Sequence, residues 1–317
     1  MKKTILMAVC IIMMSMTASA LTINKAMLVH NGEVTLYDGD KIQDAVNAAS
    51  DGDAIYLTLG TFKKFNVTKK ITIRGTGETS IIDGDVNISI PGSPKLTSPV
   101  MEALAVSGTV NVGAQVDDMI LRKCKITNFT IGAQVDGAVL DRCNITGSLT
   151  LSSYIKGMTV VNTIVNGLGA NSGATSNTTF VNCDLYFSSC TNFSATIINS
   201  IIRHYGSNTK TLNSTVLLNT LIMTYYLSGG TYYSSYHLNI GSSSVQQGCW
   251  TVNYLNNTST STLQSNGYLG TDGTVVGIYG GETPYTLEPS VPKVTSSDLQ
   301  LDNENKQLNV TLTVSPQ

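Results

Sequence analysis

Between residues 119 and 224 the apolar positions recur every nineteen or twenty residues, with one shorter interval. The segments Met119–Thr127, Ala138–Thr146, Met158–Asn166, Thr178–Tyr186, Ala195–Arg203 and Thr215–Met223 align without gaps. One column is always apolar: Leu121, Leu140, Val160, Phe180, Ile197, Leu217. A second is always small: Cys124, Cys143, Thr163, Cys183, Ser200, Thr220. A third, two residues further on, is aliphatic: Ile126, Ile145, Val165, Leu185, Ile202, Ile222. Positions two apart share one face of a strand. The first apolar column sits three before the small one, so the alternation slips by one, and a slip means a bend. The residue just before the small position reads Lys123, Arg142, Asn162, Asn182, Asn199, Asn219. Asn tolerates left-handed backbone angles, and stacked Asn side chains can bond along an axis as amide ladders do. A repeat of about twenty residues holding short strands and a sharp bend is one coil of a parallel β-solenoid.

Flanking stretches extend the pattern. Lys41–Ala49 reads as an amphipathic helix with Ile42, Ala45, Val46 and Ala49 on its apolar face, capped by Asp40. It is followed by Asp51-Gly52-Asp53-Ala54-Ile55-Tyr56-Leu57, Gly60-Thr61-Phe62, Lys70–Gly75 and Ile81–Gly84. Together these resemble the entry motif and early coils of the pectin-lyase-like superfamily of right-handed parallel β-helices. Gly270–Gly281, followed by Pro289 and Pro292, looks like the end of secreted β-helix proteins from Bacteroidetes. The resemblance runs from about Lys41 to Pro292 and implies an all-β fold, a right-handed parallel β-helix with an N-terminal capping helix. About ten coils fit between Ile55 and Gly281 at ~4.8 Å per coil. Asp298–Leu301 and Leu308–Val314, joined by the polar turn Asp302–Lys306, read as a C-terminal β-hairpin. The expected organisation is therefore a leader at 1–20, a β-helix domain at 21–294 and a hairpin appendage at 295–317.

The leader has its own pattern. Lys2 and Lys3 precede an apolar stretch from Ile5 to Met16, and Ala18-Ser19-Ala20 forms a small-residue cleavage site. The stretch is too short to span a bilayer, and no later segment is long and apolar enough, so no transmembrane segment is expected. Export, cleavage after Ala20 and a periplasmic, cell-surface or extracellular location follow.

Of the 317 residues only 13% are charged, and 19 basic against 21 acidic residues give a net charge of −2. That argues against nucleic acid as a partner, since phosphate neutralisation needs a basic face. Five cysteines remain after the leader (Cys124, Cys143, Cys183, Cys190, Cys249), at no metal-site spacing. Three sit in the small column, which favours buried thiols, with a disulfide between stacked Cys124 and Cys143 left open.

The resemblance implies where chemistry would sit. In β-helix lyases neighbouring acids bind calcium and an Arg or Lys acts as base; in related hydrolases clustered Asp residues serve as acid and base. No Asp or Glu occurs from Leu185 to Thr271, which removes half the rod from carboxylate chemistry. In the other half Val112–Asp117 and Ile131–Asp136 share the string Gly-Ala-Gln-Val-Asp. Asp117 and Asp136 should then stack, ~5 Å apart, with Lys156 in the next coil. Asp117, Asp118, Asp136 and Lys156 are thus a candidate catalytic or calcium patch, set against a reading as an ordinary turn with balanced charge. Arg122 and Asp141 read as a surface ion pair. The triplets Asp38–Asp40, Asp51–Asp53 and Asp83–Asp85 lack the rest of a calcium loop and read as turns. His30, His204 and His237 are isolated, and His204 reads as a solvated neighbour of Arg203.

Ten of the fourteen tyrosines lie at or after Tyr205. Tyr225, Tyr226, Tyr232, Tyr233 and Tyr236, with Trp250 beyond, form a candidate neutral-sugar surface among hydroxyls and amides, or else fill the last coils. No cofactor is expected apart from calcium at the acidic patch. The leading function is a non-catalytic carbohydrate-binding or surface module with a polysaccharide or glycan partner. The alternatives are a polysaccharide lyase or glycoside hydrolase, and a structural or assembly component. Oligomeric state is not legible.

Overall fold

The structure, a computed structural model, describes residues 24–90, 100–113, 116–132, 134–152, 155–170, 177–190, 193–204, 210–223, 227–237, 261, 263–289, 293–302 and 307–315. The leader therefore lies outside the described residues, as do Tyr225, Tyr226, Cys249, Trp250 and Pro292. No helix among the described residues is long and apolar enough to cross a membrane.

The chain winds into a right-handed β-solenoid. A 12-stranded sheet collects one strand per coil from Ala54–Leu57 to Leu227–Tyr233, all pairing in parallel. An 11-stranded sheet collects the rest, from Gly60–Val67 to Tyr236–His237. The anticipated bend separates the two. Asn162, Asn182, Asn199 and Asn219 have φ of 45, 51, 50 and 46°, and Lys123 and Arg142 have 52 and 53°. Ala103 and Ser234, at 52 and 46°, extend the column by one coil at each end.

A second bend was not foreseen. The 11-stranded sheet is broken by register shifts at Lys63/Phe65, Ile126/Asn128 and Val165/Leu168. In one coil it splits into Asn144–Ile145 and Leu149–Leu151. Each turn is therefore three-sided: a first side in the 12-stranded sheet, then a second and third divided by the bulge. About seven complete turns run from Ala54 to Cys190, and strands of the first two sides continue to His237. Coils do not reach Gly281 as expected.

The inward columns fill the triangle. Leu121, Leu140, Val160, Phe180, Ile197 and Leu217 are fully buried, as are Phe65, Val86, Val110, Phe129, Leu149 and Leu168 on the third side or nearly so. Each such side chain contributes about 1.5–3 kcal/mol. The small column does more than pack. Thr163 Oγ1 donates to Val161 O at 2.8 Å, Ser200 Oγ to Ile198 O at 2.7 Å and Cys183 Sγ to Val181 O at 3.3 Å. Each bond bridges the bend. The same hydroxyls accept the Cys143 and Cys183 N–H groups one coil back, at 3.1 and 3.0 Å. Cys124, Cys143 and Cys183 are free thiols.

The capping helix spans Ile42–Ala48 and buries Ile42, Ala45 and Val46, with Ala49 beyond its end. Asp40 does not cap it: a 3-10 turn, Gly39–Lys41, intervenes, and Lys41 holds the cap position without a side-chain bond. Before the helix, Lys25–His30 and Glu33–Asp38 form an antiparallel hairpin that pairs with the first coil. Its turn is Asn31-Gly32, with φ of 49 and 87°, the pair that two-residue hairpin turns demand.

Residues 263–289 do not continue the coils; they fold back along the outside. Leu263, Val275 and Val276 pack on Ile201, Leu221 and Met223, which face outward from the second side. Further along, Asn162 Nδ2 donates to Ile278 O and Gly280 O, and Gly77 lies against Leu287 and Pro289. This strap explains why the bend asparagines form no ladder with each other: Asn162 and Asn199 turn their amides to it. Lys293–Asp302 and Gln307–Ser315 form a separate antiparallel hairpin, longer than anticipated.

Candidate functional site

Asp117 and Asp136 stand in neighbouring coils, and one carboxylate oxygen of the acidic patch is bonded to the backbone. Asp117 Oδ1 accepts the Asp136 N–H at 2.9 Å, and the Asp118 N–H reaches Asp136 O at 2.8 Å. Lys156 follows in the next coil, its N–H on Val135 O at 2.9 Å. Asp118 sits at φ 52° beside Gly137, where an added Cβ would lie 2.2 Å from its carboxylate oxygen. These are the contacts of a stacked turn. Among the described residues no three His, Cys, Asp or Glu side chains are grouped to hold a metal. The Asp-Gly-Asp triplets behave likewise: Asp51 accepts the Lys70 N–H, and Asp85 the Thr109 N–H, at 2.9 and 2.7 Å.

Of the tyrosine cluster, Tyr232 and Tyr233 have described side chains, 36% and 55% exposed. Tyr232 is in register with inward Leu217 and Tyr233 with outward Leu218, so their rings point to opposite faces. Tyr232 donates its hydroxyl to Gly229 O at 2.6 Å. His204 is buried rather than solvated. It stacks on Tyr186, with ring centroids 6.2 Å apart, and its Nδ1 lies 2.7 Å from Phe187 O. Arg203 is also buried and donates to Asp184, whose carboxyl burial pushes upward against the pull of that guanidinium. His30, read as isolated, lies 2.8 Å from Asp53.

Two arrangements emerge that the sequence reading missed or saw only in part. On the first side, outward positions of consecutive coils read Tyr56, Arg74, Glu102, Arg122, Asp141. Arg74 lies over the Tyr56 ring at 5.9 Å and pairs with buried Glu102 at 2.7 Å. Asp141 receives Arg122 Nε at 2.9 Å and Arg142 Nε and Nη2 at 2.8 and 2.7 Å. Burial raises the Asp141 carboxyl, but the bonds and charges of Arg142 and Arg122 outweigh it and hold it below the usual carboxylate range. The anticipated Arg122–Asp141 pair is therefore one rung of a ladder. Reading the repeat one coil earlier, through Met101-Glu102-Ala103-Leu104, reveals the rest.

The second arrangement lies on the third side, beside the capping helix. Gln43, Lys64, Phe65, Asn66, Asp85 and Asn87 line a groove of about 270 Å³. Asn87 Nδ2 donates to Asn66 Oδ1 at 2.8 Å and Asn111 Nδ2 to Asn87 Oδ1 at 3.1 Å. Gln43 Oε1 accepts the Asn66 N–H at 2.7 Å. Here is the amide ladder expected at the bend. Its members are spaced 21 and 24 residues apart in the chain, so a search for one fixed period passes over them.

The chain matches no protein-family model, no curated protein and no solved structure. Its chemistry must be read from the residues themselves. The groove offers planar amides, one ammonium and one carboxylate beside buried Phe65. Such groups match the paired hydroxyls of a sugar ring, donating with Nδ2 and accepting with Oδ1.

Proposed function

We propose that the protein is an exported, non-catalytic carbohydrate-binding module on a pectin-lyase-like β-helix. The observation that carries this reading is the groove of Gln43, Lys64, Asn66, Asp85 and Asn87, with its aligned amide ladder. Export is supported by the Lys2-Lys3, apolar and Ala18-Ser19-Ala20 pattern. Superfamily membership rests on the motifs of Lys41–Gly84 together with the solenoid shape. The enzyme alternative would rest on Asp117, Asp118, Asp136 and Lys156, of which Asp117 accepts a backbone N–H.

The test incubates purified residues 21–317 with a polysaccharide panel and measures retention and product mass. Retention of intact polymer that falls with Asn87→Ala and Gln43→Ala is the expected outcome. Shortened or unsaturated products would overturn the reading in favour of an enzyme. Absence of both, with stable self-association, would overturn it in favour of an assembly component.

A further inference from the structure

The bend between the first and second sides carries no Asn at three consecutive coils, Ala103, Lys123 and Arg142, nor at Ser234 in the last. Four coils place Asn there, the residue best suited to positive φ, whereas Lys123 and Arg142 hold φ of 52 and 53° with long cationic side chains. Strain of that kind is kept where something else depends on it. The two residues occupy one column in adjacent coils, ~4.8 Å apart, and Arg122 adjoins both. Like charges so placed repel. Lys123 is 6% exposed, yet its ammonium makes no hydrogen bond or ion-pair contact among the described residues. Glu102 and Asp141 act on it only through space, and burial together with Arg142 lowers its pKa.

Charge does not balance within the cluster. Glu102 and Asp141 face Arg74, Arg122, Lys123 and Arg142, a surplus of two positive charges in a chain whose net charge is −2. Arg74 is taken by Glu102. Asp141 takes one nitrogen of Arg122 and two of Arg142, leaving further N–H groups on both guanidiniums.

We propose that Arg122, Lys123 and Arg142 form an oxyanion site that takes the sulfate or carboxylate group of an acidic glycan. The oxyanion part stands on the cluster alone; the glycan part rests on the carbohydrate-binding reading above.

The experiment follows thermal unfolding and calorimetric binding of residues 21–317 with inorganic sulfate, against chloride at equal ionic strength. Sulfated, uronic and neutral oligosaccharides of matched length are then compared. Lys123→Asn and Arg142→Asn install the residue that four other coils carry. Without sulfate, Lys123→Asn should unfold at the same temperature as the parent or higher, because strain and repulsion are relieved; Arg142→Asn also gives up two bonds to Asp141 and is read for sulfate binding. Each should bind sulfate about tenfold more weakly. A sulfated or a uronic oligosaccharide preferred over the neutral one identifies which group the site takes. Sulfate binding with no preference among oligosaccharides would overturn the glycan part and leave the oxyanion site standing. No sulfate effect beyond chloride, or variants that keep full sulfate affinity, would overturn the site itself.

Discussion

Asn162 Nδ2 donates to Ile278 O at 3.1 Å and to Gly280 O at 2.8 Å, across 116 and 118 residues of chain. The side chain is buried at the bend, so both carbonyls depend on it. Asn162→Ala should remove about 2 kcal/mol of hydrogen bonding, and about 1 kcal/mol more because alanine is strained at φ 45°. Asn162→Gly keeps the backbone angle and should lose only the first part. In both variants amide exchange should speed up at Val276 and Tyr285, whose N–H groups bond within the strap, more than in the coils. Equal exchange rates in variant and parent would show that the strap holds without Asn162.

The thiols of the small column are hydrogen-bonded structural groups. Burial pushes the Cys183 thiol up to about 12, and its Sγ donates to Val160 O at 3.2 Å. Native protein at pH 8 should leave Cys124, Cys143 and Cys183 unmodified by a thiol reagent, which should react after denaturation. Cys183→Ser keeps a donor of the kind Ser200 supplies and should cost about 1 kcal/mol. Cys183→Val should cost more, because it leaves the Val181 and Val160 carbonyls short of a donor. Equal midpoints for the two variants in chemical denaturation would contradict this role.

How far the fold could be read in advance follows from periodicity. The columns through Leu121, Cys124 and Ile126 repeat because each coil stacks on its neighbour, so the bend and the inward faces were legible. The second bend was not. It rests on bulges such as Ile126/Asn128 and on Gly147, where a Cβ would meet Asn128 Oδ1 at 2.6 Å, and neither leaves a hydrophobic signature. Asn31-Gly32 was a readable hairpin signal that the longer repeat overshadowed. The strap was illegible for a different reason: Val275 and Val276 cover outward Ile201 and Leu221, and sequence alone does not say that an outward aliphatic has a lid. The groove escaped because exposed Asn residues look like solvated surface until their amides are seen bonded in line.

The buried pair of Asp184 and Arg203 provides a second energetic test. Both residues are nearly excluded from solvent, and Arg203 also reaches Asn166 Oδ1 at 3.4 Å. Removing one partner strands the other charge. Asp184→Asn or Arg203→Met alone should destabilise by about 3–5 kcal/mol. The double variant Asp184→Leu with Arg203→Met should recover most of that loss, as replacement of a buried pair by apolar side chains usually does. A double variant as unstable as the sum of the singles would mean that the pair does not act as a unit.

Asp141 and Asp184 should leave opposite marks on the pH dependence of stability. The Asp141 carboxyl lies below its unfolded value, so the coils keep it charged where the unfolded chain begins to take up protons. Its contribution is full above about pH 4 and is lost as pH falls through the folded value. Asp184 is displaced upward, so its share is full below about pH 4 and is lost as pH rises through the folded value. Asp141→Asn should therefore cost about 2 kcal/mol at pH 7, where two guanidiniums lose an anionic acceptor with two oxygens, and progressively less toward acid. Urea unfolding of parent and variant between pH 2.5 and 7 measures this directly. A difference that stays constant across the range would show that Asp141 stabilises the bend by shape alone and that its ionic rungs with Arg122 and Arg142 contribute nothing.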